Sequence, residues 1–361
     1  MPLQFPRICW RRFLCSFLLA SVFSDIKIWE VEAHVAAWHK GMYCLNGTQA
    51  GQNDQNTNAA CQPLYQLNQS DWWFHHSNNC DEFPPADGDF LELPANGQFT
   101  VEHAVNRAFT TLSFGGRNTA LFGDGKNHPG LGKTLDGKAG PDSCITEPNI
   151  HTQNETMAAG TIFAISYNSN LSQVTPENLV VFTVLKNTPW RRLATYKVPN
   201  LPACPDPGGG ICAWGWVANG CGEPNMYMFP YRCRVVGHTG DAAVAPGVPP
   251  VWCEDDKSKC VSGPKQMVFY NQLEGNNVQV SGYDLAGQPR APTYNSKMGF
   301  SNGAQTDIFH TPGSATPTYV KPAPTPTLSA DARRTTTIPV GMPIWVVWLS
   351  MTLGFFAAIC I

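Results

Sequence analysis

Charge is scarce in this chain, and so are long periodic apolar runs. Only 14% of its 361 residues are Asp, Glu, Lys or Arg, and the formal net charge is −3. That balance leaves no basic surface for a nucleic acid, so no nucleic-acid partner is expected. Between residues 34 and 305 the apolar stretches are short and broken by Gly, Pro and Asn, which argues against long amphipathic helices. No His-Glu-x-x-His occurs, which argues against a zinc protease. The cysteine spacings match no zinc ribbon or finger. No internal repeat is found. Among 27 acidic residues, nothing marks the carboxylate pair of a glycoside hydrolase.

The two ends of the chain differ in composition from its middle. Residues 1–33 read as a signal peptide: Arg7, Arg11 and Arg12 precede an apolar core at 13–23, and Val31 and Ala33 fit a cleavage site. A cut after Ala33 would make His34 the first residue; a cut before Asp25 is the alternative. Residues 306–339 turn to Pro, Thr, Ser and Ala and read as an extended linker. Residues 340–361 are uncharged and apolar, long enough to span a membrane, but no basic residue follows them. With small residues at Ser329, Ala330 and Ala332, the tail fits a removable GPI-anchor signal better than a retained membrane segment. The expected location is extracellular, with the domain tethered to the cell surface.

Export suits the rest of the composition. Ten of the 13 cysteines lie between Cys44 and Cys260, an even set that suggests five disulfides without giving their pairing. Sequons stand at Asn46, Asn68, Asn154 and Asn170. The expected fold of residues 34–305 is all-β, an antiparallel immunoglobulin-like or fibronectin-like sandwich with long disulfide-stabilised loops. Phe99, Val101, His103 and Val105 alternate as a half-buried strand does. Residues 161–167, 179–185 and 267–270 are apolar or β-branched runs of strand length, and Val278 and Val280 alternate again. The chain's 32 Gly and 30 Pro supply its many turns.

Nine histidines are the candidate metal ligands. His103 is in phase with Phe99 and Val101 and is expected in the core. His75 and His76 are adjacent, so on a strand they would point to opposite faces. His128 reads as an exposed loop residue. His151 lies just before a strand, in a loop that can return it to the start of the domain. His34 is chemically special if processing exposes it, because its α-amine and its imidazole can then grip one metal ion together. In Asn225-Met226-Tyr227-Met228 an extended backbone places Asn225 and Tyr227 on one face. Tyr227 then suits an axial position over a metal, or is an ordinary half-buried tyrosine. Trp38, Tyr43, Trp72 and Trp73 are either sugar-stacking or core residues.

The run His34-Val35-Ala36-Ala37-Trp38-His39, followed by Gly41-Met42-Tyr43-Cys44, the strand at 160–167, Pro176-Glu177-Asn178-Leu179-Val180-Val181-Phe182, Cys212-Ala213-Trp214 and Asn225-Met226-Tyr227-Met228, resembles the fungal lytic polysaccharide monooxygenases of auxiliary activity family 14. The likeness extends over most of residues 34–300. It implies a copper "histidine brace" on an immunoglobulin-like sandwich: His34 would give its amine and a ring nitrogen, His151 the third nitrogen, and Tyr227 the axial oxygen. Asn225 would stand beside the copper where the family often has glutamine, and the Asn154 sequon could put a glycan near that face. The implied chemistry is oxidation of a sugar C–H by Cu(II)/Cu(I) with O2 or H2O2 and an external reductant. The implied substrate is xylan lying on cellulose, or a cell-wall glucan. A surface copper-binding protein with the same brace and no cleavage is the competing expectation.

Overall fold

β-branched and aromatic residues recur in short runs through the domain, and these runs become the strands of two sheets. The computed structural model describes residues 34–310 except 132–144, 146, 149, 206, 220, 222 and 223. The expected signal peptide, nearly all of the linker and the apolar tail lie outside the described residues. The strands are β1 (Ala36–Trp38), β2 (Leu91–Pro94), β3 (Gln98–Ala104), β4 (Thr161–Ser166), β5 (Val180–Leu185), β6 (Leu193–Lys197), β7 (Gly210–Val217), β8 (Met226–Val236) and β9 (Gly303–Ala304). They form a three-stranded sheet, β1-β3-β6, and a six-stranded sheet, β2-β8-β7-β4-β5-β9. The all-β sandwich read from the sequence is the fold. Among the pairings of these nine strands, one departs from the antiparallel rule: β2 runs parallel to β8, with Leu91 opposite Cys233 and Pro94 opposite Val236.

Burial follows position in the sheets. β6 alternates exposed and buried residues, as expected of a sheet with one face in water. β4 and β7, in the middle of the larger sheet, are buried at every residue. Phe99 on β3 meets Phe163 on β4 edge-on at 5.0 Å, and Tyr196 on β6 meets Phe163 at 4.9 Å, so these rings close the space between the sheets. Each such pair contributes about 0.5–1.5 kcal/mol beyond its buried area. The Tyr196 hydroxyl is a polar hub within this core. Its partners are His103 Nε2 at 3.1 Å, Thr161 Oγ1 at 2.6 Å and the donating Trp214 Nε1 at 3.3 Å. His103 is thus a core histidine, and burial holds its pKa down to about 3.

The structure revises several expectations. Residues 267–270 and 278–282 form no strand. Asn277 replaces a ladder partner there: its Oδ1 accepts from Phe269 N at 2.8 Å and its Nδ2 donates to the Met267 carbonyl at 2.8 Å. His75 and His76 lie in a 3-10 segment, Trp73–Asn78, not a strand. His75 is buried, and exposed His76 pairs with Asp81 at 2.9 Å. His128 is half-buried and pairs with Asp124 at 2.5 Å. Trp38, Tyr43 and Trp72 are core residues, and Trp73 packs against the core. The count of five disulfides is also too high. Cys44–Cys80, Cys212–Cys233 and Cys253–Cys260 are bonded, as is Cys221, whereas Cys61 and Cys204 are free. Cys61 donates instead to the Ala104 carbonyl at 3.4 Å in the core.

Candidate metal centre

The strongest local constraint at the candidate site falls on His151. Its backbone is left-handed, with φ at 44°, a conformation that a non-glycine residue adopts only when its surroundings hold it. Part of that hold is backbone: the Thr152 carbonyl accepts from Ile145 N at 2.9 Å. The rest is the ring, whose Nδ1–H donates to the carbonyl of Cys221 and whose face meets Trp216 edge-on at 5.9 Å. A histidine that donates from Nδ1 keeps its lone pair on Nε2. Here that Nε2 is buried and has no hydrogen-bond partner. Burial is the main cause that lowers the ring's pKa to about 4; the Cys221 bond opposes it, and the charge of His34 adds to it. The imidazole is therefore neutral at neutral pH, the form that binds a metal.

His34 stands two residues before β1, half-buried. Its Nε2–H donates to Gln62 Oε1 at 3.1 Å. Nδ1 is then the basic nitrogen of the ring, and it is the one close enough to the residue's own backbone nitrogen to close a chelate with it. Gln62 caps the C-terminal end of the 3-10 turn Ala59–Cys61. The segment after it is tied to the start of β8, where Leu64 N donates to the Met226 carbonyl at 2.9 Å and Met226 N to the Leu64 carbonyl at 3.2 Å.

Tyr227 and Trp216 are directly paired across β8 and β7, and their rings stack at 4.6 Å with a 24° tilt. Trp216 thus touches both His151 and Tyr227. Tyr227 is 2% exposed, and Asn225, just before β8, is buried with its Oδ1 unpartnered. The structure accordingly links His151 to Tyr227 through Trp216, sets His34 within electrostatic reach of His151, and buries Asn225 two residues from Tyr227. Among the described residues no three His, Cys, Asp or Glu side chains converge. A metal here would depend on two imidazoles, an amine and a phenol. Of the sequons, Asn46, Asn68 and Asn170 are exposed, whereas the Asn154 side chain is half-buried and accepts from Met157 N at 3.1 Å.

Gln62, the Cys221 carbonyl and the role of Trp216 as a shared wall escape sequence reasoning. Each acts through a contact between distant segments, and no local pattern marks it. Among the described residues no helix is long and apolar enough to cross a membrane.

The family profile described as "Lytic polysaccharide monooxygenase AA14" matches residues 15–344. A similar curated protein is AA14 family lytic polysaccharide monooxygenase B of Talaromyces rugulosus, 34% identical over 309 residues, which are 81% of this chain and 98% of that protein. AA14 family lytic polysaccharide monooxygenase A of Trametes coccinea (strain BRFM310) is 32% identical over 293 residues, 78% of this chain and 62% of that protein. The B protein of Pycnoporus cinnabarinus is 32% identical over 289 residues, covering 76% and 70% of the two chains.

Proposed function

Because this chain belongs to the AA14 family of lytic polysaccharide monooxygenases, an oxidoreductase family, we propose that it holds a copper ion with His34, His151 and Tyr227 and oxidises xylan lying on cellulose. The observation that carries the reading is the orphaned Nε2 of His151, buried within electrostatic reach of His34, on a ring fixed by the Cys221 carbonyl. A buried polar atom without a partner costs about 1–3 kcal/mol, and a metal ion removes that cost. The donor set also fits the ion. Three nitrogens suit Cu(II), which heads the affinity series for divalent metals at nitrogen sites.

Bound copper supplies the one-electron chemistry with O2 or H2O2, drawing on an external reductant. The protein's own part is geometric and electrostatic. Gln62 and the Cys221 carbonyl orient the two imidazoles through the nitrogen that does not bind metal. Tyr227 and Trp216 wall the site with stacked rings. Asn225 Oδ1 offers an acceptor to a bound water or to incoming H2O2. Tyr65 and Leu273 are exposed apolar side chains, 42% and 59%, on segments joined where Leu273 N donates to the Leu67 carbonyl at 3.0 Å. Exposed apolar side chains of this kind suit the face of a sugar chain. Signal cleavage after Ala33, secretion and a tethering tail complete the proposal.

Two measurements test it together. Amino-terminal sequencing of the secreted protein should start at His34, and the copper-loaded protein with a reductant should release oxidised oligosaccharides from xylan-coated cellulose. A different first residue removes the amine from the site and ends the copper reading. Release without copper or reductant would point to hydrolysis.

A further inference from the structure

A second feature adjoins the candidate metal centre, a cavity of about 620 Å³ with an unusual lining. Six of its lining residues carry side-chain amides: Gln153, Asn187 and Gln288, together with Asn219, Asn295 and Asn302, whose amides also bond within the protein. An amide donates and accepts at once, as a sugar hydroxyl does, so a cluster of amides is matched to polyhydroxylated ligands rather than to lipids or metals. The volume lies within the usual range for small-molecule sites. The buried rings of Tyr294 and Phe300 form the apolar part of the wall and meet at 5.4 Å.

Two details mark the cavity as a binding site. Gln153 Oε1 is buried and has no hydrogen-bond partner. The side chains of Asn187 and Gln288 make no hydrogen bond among the described residues. Gln153 Oε1 is thus a buried acceptor left for a ligand, while the half-buried Asn187 and exposed Gln288 amides are held only by water that a ligand can displace. Charge does not dominate the wall: Lys297 is neutralised by Asp284 and by Glu254 at 3.8 Å, while Lys186 is exposed.

The cavity is tied to the metal centre through two loops. Gln153 follows His151 by two residues. Asn219 precedes Cys221 by two, and its Nδ2 donates to the Met157 carbonyl at 2.8 Å, joining the loops. We propose that this amide-lined cavity binds a branch sugar, neutral or acidic, of the polysaccharide whose backbone crosses the metal centre. This rests on the polysaccharide reading above and adds a determinant of substrate choice: branched chains are preferred to bare ones.

The test is calorimetric binding of full secreted protein to xylo-oligosaccharides of one backbone length: unbranched, bearing one arabinosyl branch, or bearing one glucuronyl branch. At least one branched form should bind about tenfold more tightly than the unbranched one, the effect of one or two neutral hydrogen bonds. The variant Asn187→Gly with Gln288→Ala should erase that preference and leave unbranched affinity unchanged. Glycine suits position 187, where φ is 59°, so folding should be preserved. Equal affinity for all three ligands, or a preference that survives the double variant, overturns the proposal. If the protein binds none of them and no insoluble xylan either, the polysaccharide reading itself fails.

Discussion

His151 donates from Nδ1 to the Cys221 carbonyl, and its other nitrogen is left buried and unpartnered. His75 is divided in the same way, so what suits His151 to a metal is that division together with its place beside Trp216 and the charge of His34. His151→Ala should therefore weaken Cu(II) binding by at least the ~100-fold that loss of a mere supporting contact can cost. Calorimetric titration of the secreted protein gives the answer. Unchanged affinity would remove His151 from the ligand set.

Gln62 allows a subtler test on the other imidazole. Its Oε1 accepts the His34 Nε2–H bond, which leaves Nδ1 as the nitrogen that would bind a metal. Gln62→Ala should lower copper affinity by about 10–100-fold with the ligands themselves intact, and Gln62→Glu should restore most of it. Equal losses in both variants would mean that Gln62 supports only the local fold.

Strands were legible wherever the pattern was either strictly alternating or uniformly apolar. Residues 98–104 and 161–166 are examples, since their side chains alone decide which face is buried. Residues 267–270 have the same apolar composition, yet Asn277 satisfies their backbone instead, and a side chain eight residues away leaves no local trace. The parallel pairing of β2 with β8 is likewise a long-range choice. At the candidate site, the family resemblance rather than residue type or spacing pointed to His34, His151 and Tyr227. Their supports, Gln62 and the Cys221 carbonyl, come from loops that only the fold brings near.

Tyr227 differs from the imidazoles because its ring is stacked on Trp216 at 4.6 Å. Tyr227→Phe keeps that stack and removes only the hydroxyl. Copper affinity should change little, while the Cu(II) EPR spectrum should shift, because a phenol oxygen beside bound copper would change the metal's electronic surroundings more than it would add binding energy. Identical spectra would place the hydroxyl away from the metal.

Acid should destabilise the domain through histidines outside the metal centre. Burial lowers the pKa of His75 to about 4 and that of His103 to about 3, whereas both sit near 6.5 in an unfolded chain. Between these values the unfolded state binds more protons than the folded one, so stability is full above about pH 6.5 and falls as pH drops toward the folded values. By pH 4 the His103 contribution alone should be about 3 kcal/mol. Melting temperature measured from pH 7 to 4 should decline across that window in the copper-free protein. His103→Ala should melt lower at pH 7, from loss of packing against Trp214 and of the Tyr196 bond, yet decline less steeply with acid. It should bind copper as the parent does. A slope identical to the parent's would show that His103 is not a source of the acid sensitivity.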